Sequence, residues 1–268
     1  MADHGGQTGS VVRVIPTDPR FDRPGGASWA ARAGLRTRLG WWYGLVRVWP
    51  TLPVFAVDGP LPWSDDPVAH GLSRELAGLR VTRPFLSVLD VPPSMAEYLR
   101  GRSRQALRTN LRRAEESGLR VVVIHDHDEA RTVSRQVSAG RRGVSPDVPD
   151  DEWFLDHPGD RWFAVVDADG RWVAFAGVAV STSAALLRIL YSATAHPAAG
   201  PARYLLHTQV VVALVDAGVQ RLWADGPVTT SPGSRYFQRL LGYYCARASI
   251  RRRRTGRRPS RRTVGSAA

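Results

Sequence analysis

The sequence contains no lysine and a single cysteine, Cys245, among its 268 residues. One thiol excludes an intrachain disulfide and a thiolate metal cluster, and it fits a reducing compartment. All 37 cations are arginines, which we interpret as coding bias rather than selection for arginine chemistry. There is no apolar run of about 18 residues and no apolar signal core at the N-terminus. We therefore expect a cytoplasmic protein without a transmembrane segment.

Positive charge is concentrated at one end. The net charge is +13, but eight arginines and no acid lie in residues 251–262, which leaves +5 for the rest of the chain. We predict an arginine-rich flexible tail over 251–268. Residues 1–34, rich in Gly, Pro, Asp and Arg, predict a disordered lead-in. Over the whole chain, 43% hydrophobic residues and nine Trp suffice for a buried core.

The first organised part of the sequence alternates strands and helices. Apolar runs predict strands at 53–59 and 85–91, and helical spacing predicts a helix at 68–79. A longer helix is expected from its N-cap, Ser94, to a glycine stop at Gly118. One of its faces would carry exposed cations: Arg100, Arg104, Arg108, Arg112 and Arg113.

From residue 119 the predicted order is β-α-β-β-β-α-β-α-β. The three central strands form an antiparallel meander whose first turn, Asp169-Gly170, is a strong hairpin signal. A long helix follows and ends at Gly218. Helices interleaved with a mixed, mostly antiparallel sheet predict an α/β (α+β) fold.

Two hexamers hint at an internal repeat. FAVDGP (55–60) and LWADGP (222–227) each end a predicted strand with Asp-Gly-Pro. The match indicates either a degenerate N-terminal half-repeat or a coincidence of turn chemistry. We divide the chain into an N-terminal subdomain, 35–98, and a main domain, 99–250.

The order of elements resembles the GNAT superfamily of N-acyltransferases. Three stretches carry the resemblance: LLRILYSATAHPAAGPARYLLHT (186–208), YFQRLLGYY (236–244) and RSRQALRTNLRRAEESGLRV (102–121). The third is similar to the branch that includes BioF-associated, cellulose-operon-type acetyltransferases and Fem-type aminoacyltransferases.

The resemblance implies where an acyl donor binds. Strands before and after the long helix would separate and admit the donor's pantetheine arm, with the pyrophosphate on backbone N–H groups at the helix N-terminus. Gly200 and Ala202 keep the family's loop pattern. Pro197 replaces a polar residue and Pro201 removes one N–H group. Arg203 could compensate as a phosphate ligand, so acetyl-CoA or another acyl-CoA is the implied donor.

The same resemblance suggests catalytic residues. Asp225, at the end of a predicted strand, could orient or deprotonate an amine, or could simply cap a turn. Tyr191 is a second candidate, although a packed aromatic is the simpler interpretation. The family's usual general-acid tyrosine corresponds to Gln238, which leaves Tyr236 as a substitute acid on a neighbouring face.

Histidines receive no catalytic or metal role. His207 lies on the long helix beside two leucines, and a hydrogen-bonded helical histidine is the simpler interpretation. The sequence HDHD at 125–128 is read as a polar turn between a strand and a helix rather than as a metal site.

Three functions remain open. The first is acyl transfer from acyl-CoA to a small-molecule or peptide amine. The second is aminoacyl-tRNA-dependent transfer of the Fem type, with tRNA contacts from a basic helix and the tail. The third is nucleic-acid binding on a non-catalytic GNAT-like scaffold. The candidate nucleic-acid contacts are Arg104, Arg108, Arg112, Arg251 and Arg252.

Overall fold

The computed structural model describes residues 49–59, 68, 72–76, 79–82, 85–141, 160–226 and 230–252. The predicted lead-in over 1–34 and the part of the predicted tail after Arg252 lie outside this range. The described helices are α1 Met95–Tyr98, α2 Gln105–Glu116, α3 His127–Ala139, α4 Ala199–Asp216 and α5 Pro232–Leu240. The described strands are β1 Val54–Gly59, β2 Ser73–Leu76, β3 Leu79–Thr82, β4 Leu86–Asp90, β5 Arg120–Ile124, β6 Asp160–Val166, β7 Trp172–Val180, β8 Ala184–Ser192, β9 Arg221–Ala224 and β10 Tyr244–Arg252.

Eight of these strands form one mixed sheet, in the order β1-β10-β4-β9-β8-β7-β6-β5. Two neighbouring pairs are parallel, β1 with β10 and β8 with β9, and the other pairs are antiparallel. The predicted mixed, mostly antiparallel sheet flanked by helices is confirmed. Among the described elements from residue 119, the predicted order β-α-β-β-β-α-β-α-β is confirmed as well.

The sheet is covered on both faces because its central strands are apolar on both sides. On β6, Phe163 and Val165 belong to the core cluster that includes residues of α2, α4 and α5, whereas Trp162 and Ala164 belong to the cluster that includes residues of α3. This alternation places neighbouring residues of a strand on opposite layers. The same alternation on β8 determines which of its side chains point toward α4.

Local sequence sets where the helices start and stop. The side chains of Ser94, Asp126 and Ser231 each accept a backbone N–H bond at the start of α1, α3 and α5, respectively. Gly118 and Gly218 have φ of 65° and 67°, in the left-handed region that favours glycine after a helix. The predicted cap at Ser94 and both predicted stops are confirmed.

Two predicted helices differ from the structure. The helix expected over 68–79 is wrong in its second half, because β2 and β3 form an antiparallel pair. Val68 and Leu72 are helical and buried. The backbone hydrogen bonds between β2 and β3 take the place of the helical pattern in that second half. The long helix expected from residue 94 is interrupted at Gly101, whose φ is 91°.

Strands from both predicted subdomains share the one sheet. β4 lies between β10 and β9, and β1 pairs with β10 at the sheet edge. β10 extends through Arg251 and Arg252, which pair in register with Asp58 and Gly59, so the strand continues two residues into the predicted tail. The subdomain division and the half-repeat stay predictions.

Candidate active site between strands β8 and β9

The candidate site is a gap between two parallel strands. β8 and β9 pair only along Ala184–Leu186 and Arg221–Trp223. Beyond this pairing β8 continues to Ser192, whereas β9 ends at Ala224. A cavity of about 190 Å³ lies beside the separated ends. The separation that the resemblance implied is therefore present.

Polar side chains from β8, α4, α5 and the adjoining loops line this cavity among apolar ones. They are Arg188, Arg203, His207, Asp225, Thr230, Ser234, Gln238 and Tyr243. These side chains differ in charge and in their hydrogen-bond partners, and the groups that remain charged determine which ligands the cavity can bind.

Arg188 is neutralised inside the protein. Its Nε lies 2.8 Å from Oδ2 of Asp160, and both side chains are fully buried. The β7–β8 register shifts between Gly177 and Val178, so Arg188 is the extra residue of a β-bulge. Burial raises the pKa of Asp160 to about 6, and the nearby Arg188 charge opposes that rise. At neutral pH the two side chains form an ion pair.

Arg203 differs from Arg188 because it has no acidic partner among the described residues. Its guanidinium carbon lies 4.4 Å from the centre of the Phe237 ring, and its buried Nε has no hydrogen-bond acceptor in the described structure. Burial lowers the pKa of this guanidinium, although arginine remains charged at any ordinary pH. Arg203 therefore supplies an uncompensated positive charge to the cavity wall.

His207 forms the centre of a buried hydrogen-bonded chain. Its Nδ1 lies 3.3 Å from the Tyr98 hydroxyl, and its Nε2 lies 2.9 Å from the Tyr243 hydroxyl. Burial, with a smaller effect of the Arg104 charge, lowers the pKa of His207 to about 3. The imidazole is therefore neutral, so one ring nitrogen donates and the other accepts. His207 is a hydrogen-bonded helical histidine, as the sequence predicted, and it also lines the cavity.

Gln238 connects the cavity to the neighbouring strands. Its Oε1 accepts a hydrogen bond from the Ser87 hydroxyl, and its Nε2 donates to the backbone carbonyl of Asp225, each at 3.0 Å. The side chain is therefore a buried bridge at the position of the family's usual acid. Asp225 follows β9 directly and is exposed at the cavity edge.

The other two predicted catalytic residues do not line this cavity. Tyr191 donates a hydrogen bond to the Ser134 carbonyl at 2.8 Å and packs on the α3 side of the sheet. Its neighbour Leu190 takes the cavity side, as strand alternation requires. Tyr236 is 55% exposed, with the Arg239 guanidinium 5.1 Å from its ring centre. Of the three, only Asp225 is brought to the gap.

The first turn of α4 offers fewer free backbone donors than the resemblance implied. The N–H of Ala198 donates to Nδ1 of His196 at 3.2 Å, and the N–H of Ala199 donates to the His196 carbonyl at 3.1 Å. Pro201 has no N–H group. Two of the backbone donors at this turn are thus occupied and a third is missing, which leaves fewer N–H groups for a diphosphate than the resemblance implied.

Acidic groups beside this turn add to the mismatch. Nε2 of His196 lies 3.1 Å from Oδ2 of Asp167, whose other oxygen accepts the N–H groups of Asp169 and Arg171. These bonds, led by the one from Arg171, lower the pKa of Asp167 and keep it ionised. A carboxylate so close to the helix N-terminus disfavours a second anion there.

The two small residues of the predicted loop have separate roles. A Cβ on Gly200 would meet no atom within 4 Å, so packing does not require glycine there. Ala202 is fully buried in the core between α4 and the sheet. Neither residue contributes a side-chain contact to a donor site.

The predicted nucleic-acid contacts are dispersed. Arg104 donates to the Leu240 carbonyl at 3.0 Å, and Arg108 donates to the Leu99 and Gly101 carbonyls, so both serve local structure. Arg112 is exposed on α2. Arg251 and Arg252 are described only through their backbone pairing with β1.

Metal and thiol chemistry find no support in the described residues. Within them no group of three or more His, Cys, Asp or Glu side chains is arranged to hold a metal ion. Burial raises the pKa of Cys245 to about 12, so its thiol stays protonated. Among the described helices, none has the length and apolarity needed to cross a bilayer.

Comparisons with known proteins give similarity in structure but not in sequence. No protein-family model and no curated protein matches the sequence. The DUF2156 C-terminal domain of an Agrobacterium fabrum protein named as a lysylphosphatidylglycerol synthetase is similar at 18% identity and a TM-score of 0.46, over 61% of this chain and 58% of that one. The structure called L-PGS from Bacillus licheniformis gives 15% identity and a TM-score of 0.42, over 61% of this chain and 60% of that one.

A tandem GNAT protein from the clavulanic acid biosynthesis pathway is also similar, at 14% identity and a TM-score of 0.38, over 61% of this chain and 51% of that one. The present chain thus spans about three fifths or less of the length of these three structures. At such identities the activities of these proteins do not transfer to this chain.

Proposed function

We propose that the protein is an N-acyltransferase that joins an activated acyl group to an amine in the gap between β8 and β9. The observation that carries this proposal is the separation of two parallel strands over a cavity that holds both a carboxylate and hydrogen-bond donors. Acyl transfer to an amine needs proton removal, charge stabilisation and alignment.

The cavity offers a group for each of these needs. Asp225 is the proposed residue that orients the amine and takes its proton. The Tyr243 hydroxyl, held by His207, is the proposed hydrogen-bond donor to the carbonyl oxygen or the leaving group. Gln238 positions the backbone at Asp225. Tyr191 and Tyr236 have no part in this proposal.

Two donor classes are compatible with acyl transfer. An acyl-CoA thioester could place its reactive end in the gap, but it would have to bind without backbone contacts at the start of α4. The second candidate is an aminoacyl-tRNA. It is favoured by the occupied N–H groups of Ala198 and Ala199, because such a donor does not depend on that turn.

The test is product formation measured by mass spectrometry. The full chain is incubated with acetyl-CoA, or with a mixture of aminoacyl-tRNAs, and a panel of small amines and peptides. Asp225→Asn should lower product formation by about 10²-fold because a general base is lost. Asp128→Asn, an exposed carboxylate on α3, should leave it unchanged. Absence of product with both donors would overturn the proposal.

A further inference from the structure

We infer that the amine acceptor carries a carboxylate, and that Arg203 binds this carboxylate inside the cavity between β8 and β9. The inference rests on the proposed function and names the class of its acceptor. Amino acids and peptide C-terminal residues are the simplest members of that class.

The charges that line the cavity support a single bound anion. Arg188 is cancelled by Asp160 at 2.8 Å, and His207 is neutral. Arg203 is then the only uncompensated cation among the described residues that line the cavity. One guanidinium, with its planar pair of donors, matches one carboxylate in charge and in shape.

Arg203 is half-buried, and one of its donors has no partner in the described structure. The Nε atom is buried without an acceptor among the described residues, and an unsatisfied buried donor costs free energy that a ligand can recover. Phe237 supports the guanidinium from one side, at 4.4 Å. A second cation, Arg141, is close enough to act electrostatically on Arg203, and its guanidinium lies 5.3 Å from the centre of the Tyr191 ring, outside the cavity lining. It adds to the attraction for an anion.

A diphosphate matches the site less well than a carboxylate does. A diphosphate bears more than one negative charge, whereas the cavity offers one free cation in its described wall. The backbone N–H groups of Ala198 and Ala199, which could share that charge, are already bound to His196. Asp167 adds a negative charge beside the same turn.

The remaining features of the cavity fit a small zwitterion. Asp225, at the edge of the cavity, is a partner for an ammonium group. The volume of about 190 Å³ lies below the roughly 300–1,000 Å³ of sites for drug-sized ligands. A molecule with a carboxylate at Arg203 and an amine toward Asp225 would present that amine to the gap.

The experiment measures binding by thermal shift and calorimetry, without any acyl donor. The full chain is titrated with each of the twenty amino acids and with the matching carboxamides, which keep the amine but lose the carboxylate. At least one amino acid should raise Tm by about 5 °C at saturation. Its carboxamide should bind at least about tenfold more weakly, because a charge-assisted pair is lost.

Two variants test the assigned residue. Arg203→Gln should weaken amino-acid binding by about 10- to 100-fold, and Arg203→Lys should retain part of it because the charge remains. Arg239→Gln removes an exposed cation of α5 that lies over Tyr236 and should change nothing. If Arg203→Gln does not fold, the comparison of amino acids with carboxamides on the natural chain still decides the matter.

The inference is overturned by equal binding of amino acids and carboxamides, or by binding that survives Arg203→Gln. It is also overturned if no amino acid binds but succinate does, because the carboxylate would then belong to the acyl group. A further outcome would overturn the inference: the natural chain binds inorganic phosphate or coenzyme A but no amino acid, and Arg203→Gln loses that binding. Arg203 would then belong to the donor site. Product formation with only carboxylate-free amines would leave the proposed acyltransferase intact while overturning this inference.

Discussion

The cavity between β8 and β9 and the first turn of α4 are neighbouring polar regions that satisfy their charges in opposite ways. At the turn, His196 accepts the N–H of Ala198 and bonds to ionised Asp167, so the chain itself occupies part of the possible anion site. In the cavity, Arg203 keeps a charge that no described side chain neutralises.

The difference shows that the end of a helix is an anion site only when its N–H groups remain unoccupied. Here one histidine residue, through its ring and its carbonyl, accepts hydrogen bonds from two N–H groups that could otherwise donate to a ligand. Anion binding is therefore expected at the side chain of Arg203, one turn further along α4. The following changes test this contrast, from the largest expected effect to the smallest.

Asp160→Asn should have the largest effect, because it removes the partner that makes Arg188 unlike Arg203. A charge left buried without its counter-ion should lower the free energy of unfolding by about 3–5 kcal/mol, measured by urea denaturation at pH 7. The control is Asp169→Asn, which breaks the exposed pair with Arg171 at 3.2 Å. It should cost at most about 1 kcal/mol. Equal losses in the two variants would show that Arg188 is not held by a buried ion pair.

His207→Gln tests the neutral part of the cavity wall. A group whose pKa is lowered on folding, from 6.5 to about 3, adds stability above pH 6.5 that is lost as the pH falls toward 3. The natural chain should therefore lose about 1.4 kcal/mol per pH unit relative to the variant across this window. At pH 7 the variant should be less stable by about 1–3 kcal/mol, since a buried tyrosine hydroxyl loses its partner.

The natural chain must be compared with His207→Gln because Asp160 changes the stability with pH in the opposite direction. Its pKa rises on folding to about 6, so its contribution is largest below the unfolded pKa of about 3.9 and is lost as the pH rises through 6. Urea denaturation at half-unit steps from pH 3.5 to 7 separates the two. Parallel curves for the natural chain and His207→Gln would contradict a neutral buried histidine.

The double change His196→Ala with Pro201→Ala should reopen the turn of α4. It frees the N–H of Ala198 and restores an N–H at 201, each worth about 1 kcal/mol to a charged acceptor. Affinity for coenzyme A, measured by calorimetry, should rise by about tenfold. No gain would mean that occupied donors are not what keeps a diphosphate away.

Gly200→Ala is the matched change in the same turn and should have the smallest effect. The added Cβ meets no atom within 4 Å, and alanine is the better helix former. We expect a gain of about 0.5–1 kcal/mol in the free energy of unfolding and unchanged ligand binding. A loss of binding would instead assign Gly200 a direct role in a donor site.

Local signals predicted most of the fold. Ser94 as an N-cap, Gly118 and Gly218 as helix stops, and the Asp169-Gly170 turn each act through neighbours within a few residues. The error over 68–79 arose where a pairing between β2 and β3 competed with helical spacing. That competition is decided by contacts with other strands, which a local pattern does not contain.

The site was predicted only in part. The sequence predicted Asp225 at the end of a strand, and in the structure Asp225 lies at the edge of the cavity. Tyr191 and Tyr236 were chosen by residue type, but strand alternation and helix phase turn both away from the cavity. Strand alternation alone would have separated Leu190 from Tyr191. No local signal joins Tyr98 to His207, which are 109 residues apart in the sequence.

The sequence by itself determined the order of most strands and helices, together with their caps and turns. These depend on backbone preferences and apolar spacing within short segments. Only the tertiary structure decided which charges are cancelled. Asp160 meets Arg188, and Asp167 meets His196, across 28 and 29 residues of chain. A charged side chain can bind a ligand only when no neighbouring side chain neutralises it. The folded contacts therefore determine which charged groups of the cavity are available to a ligand.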